Sequence, residues 1–214
     1  MNRRSVSALA AAALVLSAVG TAAAAGPWET APLAGQGTGA GAVQVGTAAI
    51  HRTAGGVSAR VTMTLPAEYV IPPLGGTSTG EHGNPEAFSL WVFVFFNPEN
   101  CVGPCDGSDL MRPLDPANPQ LNVVAGAYNA GGHLAAGTRL KIAGHVNQNS
   151  ALFGGPNADA FGAALSQGFA LEDAEIHLAV APHGVLDPAL LPAQITTPAG
   201  DPSFWWLAFF DPQP

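Results

Sequence analysis

Histidine and carboxylate side chains are the residues of this sequence with the clearest capacity for metal chemistry. Glu175 and His177 are two positions apart in the segment Ala174–Val180, and His183 follows at the same parity. Because the side chains of a strand alternate between its two faces, these three would share one face. His145 lies at the polar parity of another alternating segment. If the two segments are neighbours, the four side chains could bind zinc or copper.

The same histidines also have a plainer interpretation. Histidines on the polar face of a half-buried strand are commonly solvated or hydrogen-bonded surface residues. The spacings HxH, HExxH and HxxxH, which place imidazoles for metal binding, do not occur in the sequence. Both interpretations stay open from the sequence alone.

The two cysteines, Cys101 and Cys105, are four positions apart and directly follow an apolar segment. In an exported protein such a pair is expected to form a disulfide, and the Val-Gly-Pro between them allows a turn. A loop this small would stabilise the fold by about 2 kcal/mol, so the disulfide would mainly fix local shape. The functional alternative is a redox pair, although the helical context of known redox motifs is missing.

Two further patterns could in principle carry chemistry. Gly76–Gly80 fits the GxSxG pattern of a serine nucleophile at Ser78, but prolines precede it and no helix pattern follows. Asp106, Ser108 and Asp109 could offer oxygen ligands to calcium, but their spacing matches no known calcium loop. A polar turn is the simpler interpretation of the second pattern. Neither pattern predicts an active site.

The N-terminus predicts export. Residues 1–25 combine Arg3 and Arg4, an alanine-rich apolar run and small residues up to Ala25, as in a secretory signal peptide. Residues 26–41, small and glycine-rich, are expected to be a flexible lead-in, and 42–214 to be the folded domain. No further segment has the roughly 20 consecutive apolar residues of a membrane span.

The charge balance excludes one class of partner. The chain has 7 Lys and Arg residues against 15 Asp and Glu residues, a formal net charge of -8. Removal of the predicted signal would leave five basic residues against the same fifteen acidic ones, or -10. Nucleic-acid binding through a basic face is therefore not expected.

Short apolar or alternating segments separated by Gly/Pro turns predict an all-β fold. We expect strands at Val43–His51, Val57–Leu65, Phe88–Phe96, Leu121–Tyr128, Thr138–Val146, Ala174–Val180 and Phe204–Phe210. The third and the last are rich in aromatic residues at both parities, which predicts strands buried on both faces. Short helical turns are expected at Ala158–Ser166 and Asp187–Leu191. The pattern predicts a single antiparallel β-sandwich, immunoglobulin-like, with seven or eight strands and long loops.

Three motifs carry a resemblance to known proteins. The sequence NPENC with the second cysteine and DL at 97–110, AEIHL with HG at 174–184, and QIT at 194–196 resemble a group of secreted bacterial proteins. The late histidine strand followed by a proline turn and Gln-Ile is more distantly similar to the end of CHRD domains, extracellular β modules. The resemblance implies a CHRD-like β architecture and an extracellular location. It brings no established activity and no functional residue.

The sequence thus favours a secreted, non-enzymatic β protein that binds an unidentified ligand or component at the cell surface or in the extracellular space. The absence of a convincing nucleophile, cofactor fingerprint or metal motif in the sequence motivates this expectation. The alternative is a zinc- or copper-dependent protein that uses the polar face of the Ala174–Val180 strand.

Overall fold

The computed structural model describes residues 26–36, 43–72, 77–150, 152–153, 160–198 and 201–214. The predicted signal peptide lies outside these residues. The described strands are β1 Glu29–Gly35, β2 Gln44–Thr53, β3 Gly56–Thr64, β4 Glu86–Phe95, β5 Ala125–Ala135, β6 Arg139–Asn147, β7 Leu152–Phe153, β8 Glu175–Val185 and β9 Trp206–Phe210. Three short helices accompany them, α1 Gly107–Leu110, α2 Ala160–Ser166 and α3 Ala193–Thr196.

All described strands belong to one sheet with the order β6-β3-β2-β1-β9-β8-β4-β5-β7, and every pairing is antiparallel. The prediction of an all-β, antiparallel protein is confirmed. The sheet curls so that β5 and β6 come together: a Cβ added to Gly144 on β6 would collide with the carbonyl oxygen of Ala130 on β5. Glycine is therefore required where the two strands cross at close range.

The curled sheet has an apolar layer on each side. The inner core contains the even-numbered residues of β4 and β8, such as Leu90, Val92 and Leu178. The outer core contains Trp91 and Phe95 of β4, Ala179 of β8, and residues of the loops that cover them. Both parities of β4 are thus buried, as predicted for Phe88–Phe96. The same prediction is wrong for the last strand, because Phe209 of β9 is 46% exposed.

The expectation of a flexible lead-in over 26–41 is wrong for residues 29–35, which form β1 between β2 and β9. A buried arginine explains why these small residues are ordered. The Arg52 guanidinium donates to both carboxylate oxygens of Glu29, at 2.9 and 3.0 Å, and to the carbonyls of Leu171, Ala174 and Asp211. The start of β1, β2, the entry to β8 and the exit of β9 are therefore joined at one point.

The other predicted elements were found with shifted bounds. Alternation located β2, β3 and β6 to within a few residues, and β2 and β3 form a hairpin with Thr53 opposite Gly56. β5 and β8 are longer than predicted because their pairing with β4 continues through positions of mixed polarity. The segment expected to form a helical turn, Asp187–Leu191, contains a hydrogen-bonded turn in which the Leu190 N–H donates to the Asp187 carbonyl, and the helix α3 follows it at Ala193–Thr196.

Candidate functional site

Two of the predicted site residues are in direct contact on the outer side of β8. The His177 Nε2 atom lies 2.6 Å from a carboxylate oxygen of Glu175. The imidazole is only 5% exposed and packs between the rings of Phe95 and Phe209, with centroid distances of 4.9 and 4.6 Å. This face of β8 is therefore not solvated at His177, because aromatic side chains of the neighbouring strands cover it.

The surroundings of His177 decide its charge. Burial lowers the pKa of the imidazole below 6.5, since the charged form loses hydration. The hydrogen bond that His177 donates to Glu175 and the negative charges of Glu175, Asp106 and Asp211 raise this pKa without cancelling the effect of burial. At pH 7 the ring is therefore neutral, and it lies in a surrounding rich in negative charge.

A cleft of about 320 Å³ opens beside this pair. Its base is formed by apolar and aromatic side chains from three adjacent strands and by the imidazole: Phe93, Phe95, His177, Leu207 and Phe209. Trp205 adds a further ring, 6.1 Å from that of Phe93. Gln36, next to β1, completes one end, where its backbone N–H donates to the Trp205 carbonyl. The cleft is thus mainly aromatic, with few polar groups.

One wall of the cleft comprises Cys105, Asp106 and Gly107. Asp106 caps α1, because its carboxylate accepts a 2.7 Å hydrogen bond from the Ser108 backbone N–H. The hydrogen bonds to Ser108 lower the pKa of Asp106, so its carboxylate is charged at neutral pH. The wall therefore places one fixed negative charge beside the aromatic base.

The disulfide anchors that wall. Cys101 and Cys105 are bonded, as predicted, with Cα atoms 5.2 Å apart. The carboxylate of Asp109 accepts from the backbone N–H groups of Val102 and Asp106 and pairs with Arg112. The carboxylates of Asp106 and Asp109, considered for calcium, thus serve as a helix cap and as turn acceptors, and the loop is held by covalent and hydrogen bonds together.

A second part of the cleft lining is also fixed by an aspartate-capped turn. Pro202 and Ser203 line the cleft and begin a short 3-10 helix, Pro202–Phe204. The carboxylate of Asp201 accepts a 2.8 Å hydrogen bond from the Ser203 backbone N–H at its start. Aspartate-capped turns therefore fix both sides of the cleft before any ligand arrives.

His183 does not belong to this cleft. It is six residues beyond His177, roughly 20 Å along the strand, and is fully buried. Its Nδ1 lies 3.2 Å from the Thr77 hydroxyl and its Nε2 lies 2.8 Å from the Ser89 hydroxyl, which also accepts from the Trp91 indole N–H. Burial lowers its pKa to about 4. Both nitrogens are occupied by protein hydroxyls, so His183 supports the packing of the outer side.

His145 is likewise remote from the pair. It is exposed on β6, and its Nδ1 lies 3.1 Å from the Ser58 hydroxyl on the adjacent strand. Across the part of the chain that the structure describes, no three His, Cys, Asp or Glu side chains are grouped so that they could hold a metal ion. Of the four predicted ligands, the structure brings only Glu175 and His177 together.

The serine of the GxSxG pattern has no catalytic surroundings. Ser78 is buried, and its hydroxyl donates to the Pro72 carbonyl. His82, the nearest histidine in sequence, contacts Glu86 instead. Within the described ranges, no hydroxyl or thiol hydrogen-bonds to His177 either. The sequence did not predict that Asp106, Trp205 and Phe209 line one cleft. The aromatic residues at the outward parity of β4 and β9 were the one pattern that could have indicated it.

The fold and the site define a disulfide-containing, all-β chain with one aromatic cleft built around a buried histidine–carboxylate pair. Comparisons with protein-family models, curated proteins and solved structures found no match to this chain. None of the helices that the structure describes is long and apolar enough to cross a membrane.

Proposed function

We propose that this is a secreted, non-enzymatic protein that binds a small ligand outside the cytoplasm through the cleft beside His177. The observation that carries the proposal is the cleft itself. Its volume of about 320 Å³ lies within the range of ligand pockets, and its aromatic surface with few polar groups has their usual composition. The capped walls and the disulfide supply preorganisation, which lowers the entropic cost of binding.

Two features support the location and the absence of catalysis. The signal-like N-terminus and the disulfide both fit an oxidising compartment outside the cytoplasm. His177 has a carboxylate partner but, in the described part of the chain, no hydrogen-bonded nucleophile of the kind that covalent catalysis requires. The metal-binding alternative has less support, because only Glu175 and His177 are in contact.

Binding is tested by blocking the cleft. Gly107 lines it, and a Cβ at this position would meet no atom within 4 Å, so Gly107→Trp can fill the space without disturbing the wall. Gly55 in the β2–β3 turn has the same open surroundings, and Gly55→Trp is the matched control.

The measurement is ligand-observed NMR with a library of small aromatic, aliphatic and charged probes. We expect a subset of probes to bind the unmodified protein and the Gly55→Trp variant but not the Gly107→Trp variant. If no probe binds, or if the blocked variant binds as before, the cleft is not a ligand site. Mass spectrometry of exported protein tests the location, with a mature N-terminus at Gly26 expected.

A further inference from the structure

The described residues that line the cleft carry charge of one sign only. Among the lining residues that the structure describes, Asp106 alone carries a charge at neutral pH, and none is Lys or Arg. Glu175, which contacts His177, and Asp211, which follows β9, add negative charge close to the imidazole. The formal charge of -8 for the chain reinforces this local field. An anionic ligand would be repelled here, whereas a cation would be attracted.

The walls and base favour a particular kind of cation. Phe93, Phe95, Trp205 and Phe209 surround the cleft, and aromatic rings attract cations through the negative potential of their faces. A small, strongly hydrated cation would lose its water to a mainly apolar surface and regain few ligands. An alkylated ammonium is weakly hydrated, and its methyl groups can bury themselves against the rings.

A neutral apolar ligand fits the charges less well. It would cover the charged Asp106 carboxylate without offsetting its charge, and desolvation of a charge that gains no opposite charge is costly. A ligand with a positive head would fill the same space and offset the charge at once. The two requirements, apolar surface and positive charge, meet in a quaternary ammonium group.

We propose that the cleft recognises a small organic cation, a free quaternary ammonium compound, held by the aromatic base and the Asp106 carboxylate, with the nearby charge of Glu175 adding to the attraction. This inference rests on the proposed binding function and assigns its ligand class. Choline is a suitable probe, and 3,3-dimethylbutan-1-ol is its uncharged counterpart, with carbon in place of nitrogen. Comparing the affinities of these two compounds isolates the contribution of the positive charge at nearly constant shape.

The test is isothermal titration calorimetry of both compounds with the purified full-length protein. We expect choline to bind about tenfold more tightly than the alcohol. Asp106→Asn should remove most of this preference while keeping α1 capped, since asparagine is an equally good N-cap. Asp201→Asn, at a cap that does not line the cleft, is the matched control and should leave the preference unchanged.

Three other outcomes would contradict the inference in distinguishable ways. Equal affinity for both compounds, lost in Gly107→Trp, would overturn the cation assignment and leave the proposed binding function intact. Binding of neither compound would overturn the ligand class, whereas the binding function fails only if the wider probe screen is also negative. Co-sedimentation of the protein with phosphatidylcholine vesicles would overturn the assignment to a free solute in favour of a lipid headgroup.

Discussion

The buried imidazole of His183 should make the stability of this protein depend on pH in a defined window. An exposed histidine in the unfolded chain binds its proton near pH 6.5, whereas the folded imidazole stays neutral down to about pH 4. Between these values the unfolded state binds more protons than the folded state. The free energy of unfolding must therefore fall as the pH falls from 6.5 towards 4.

The structure sets the size of this effect. His183 is fully buried, and its two partners, Thr77 and Ser89, are uncharged hydroxyls that cannot neutralise an imidazolium. One pH unit of separation between the folded and unfolded pKa corresponds to about 1.4 kcal/mol. The difference between 6.5 and about 4 thus corresponds to about 3 kcal/mol of stability lost by pH 4.

Chemical denaturation of the unmodified protein and of His183→Gln, from pH 7.5 to pH 4, measures the effect. Glutamine can hydrogen-bond to both hydroxyls but does not titrate, so the stability difference between the two proteins should shrink by about 3 kcal/mol across this range. The titration of carboxylates changes the stability of both proteins equally, so it cancels in the difference. His145→Gln, at an exposed position, controls for the loss of one histidine. Parallel pH profiles for the unmodified protein and His183→Gln would refute the reasoning.

Four further predictions concern the rest of the molecule. Arg52→Ala should lower the free energy of unfolding by roughly 3–5 kcal/mol, because it removes the opposite charge beside Glu29 and the donor to three backbone carbonyls; Arg60→Ala, which removes an exposed cation–π contact, should cost about 0.5–1 kcal/mol. Gly144→Ala should cost at least about 1–3 kcal/mol by forcing β5 and β6 apart; in Gly55→Ala the midpoint of urea unfolding should barely change. Reducing the disulfide should lower stability by about 2 kcal/mol, read as a shift in Tm, and unreduced denatured protein should titrate no free thiol. Elemental analysis should find less than stoichiometric zinc or copper, and chelator should leave Tm unchanged; near-stoichiometric metal lost in His177→Ala would revive the metal-site hypothesis.

Local patterns in the sequence were sufficient to locate the strands whose residues alternate or are continuously apolar. The alternation of Ala59, Val61 and Met63 located β3, and the unbroken apolar run before Asn97 located β4, because each pattern depends only on neighbouring residues. β1 was missed because residues such as Ala31, Pro32 and Gly35 are depleted in strands. β1 is held in the sheet by partners that are distant in sequence, namely β9 and Arg52, and a local pattern carries no information about them.

The candidate site was only partly predictable for the same reason. Parity placed His177 and His183 on one face of β8, but parity gives no distance and does not reveal which loops cover the face. The cleft combines residues near positions 36, 93, 106, 177 and 205, which are far apart in sequence and meet only in the folded sheet. Two stacked sheets and one sheet that curls on itself also share the same alternation, so periodicity does not distinguish them.

The pairing of β1 with β9 has a consequence for how the chain folds. β1 is held on one side by β2 and on the other by the last strand, through only two residue pairs, Ala34 with Leu207 and Gly35 with Trp206. The strands β6, β3, β2 and β1 therefore join β9, β8, β4 and β5 in one sheet only once β9 has paired with β1. During vectorial synthesis or export, the strands can pair within each group early, but the sheet, and with it the cleft at the seam, is completed last. Sequence separations this long also predict slow folding relative to a protein with local contacts.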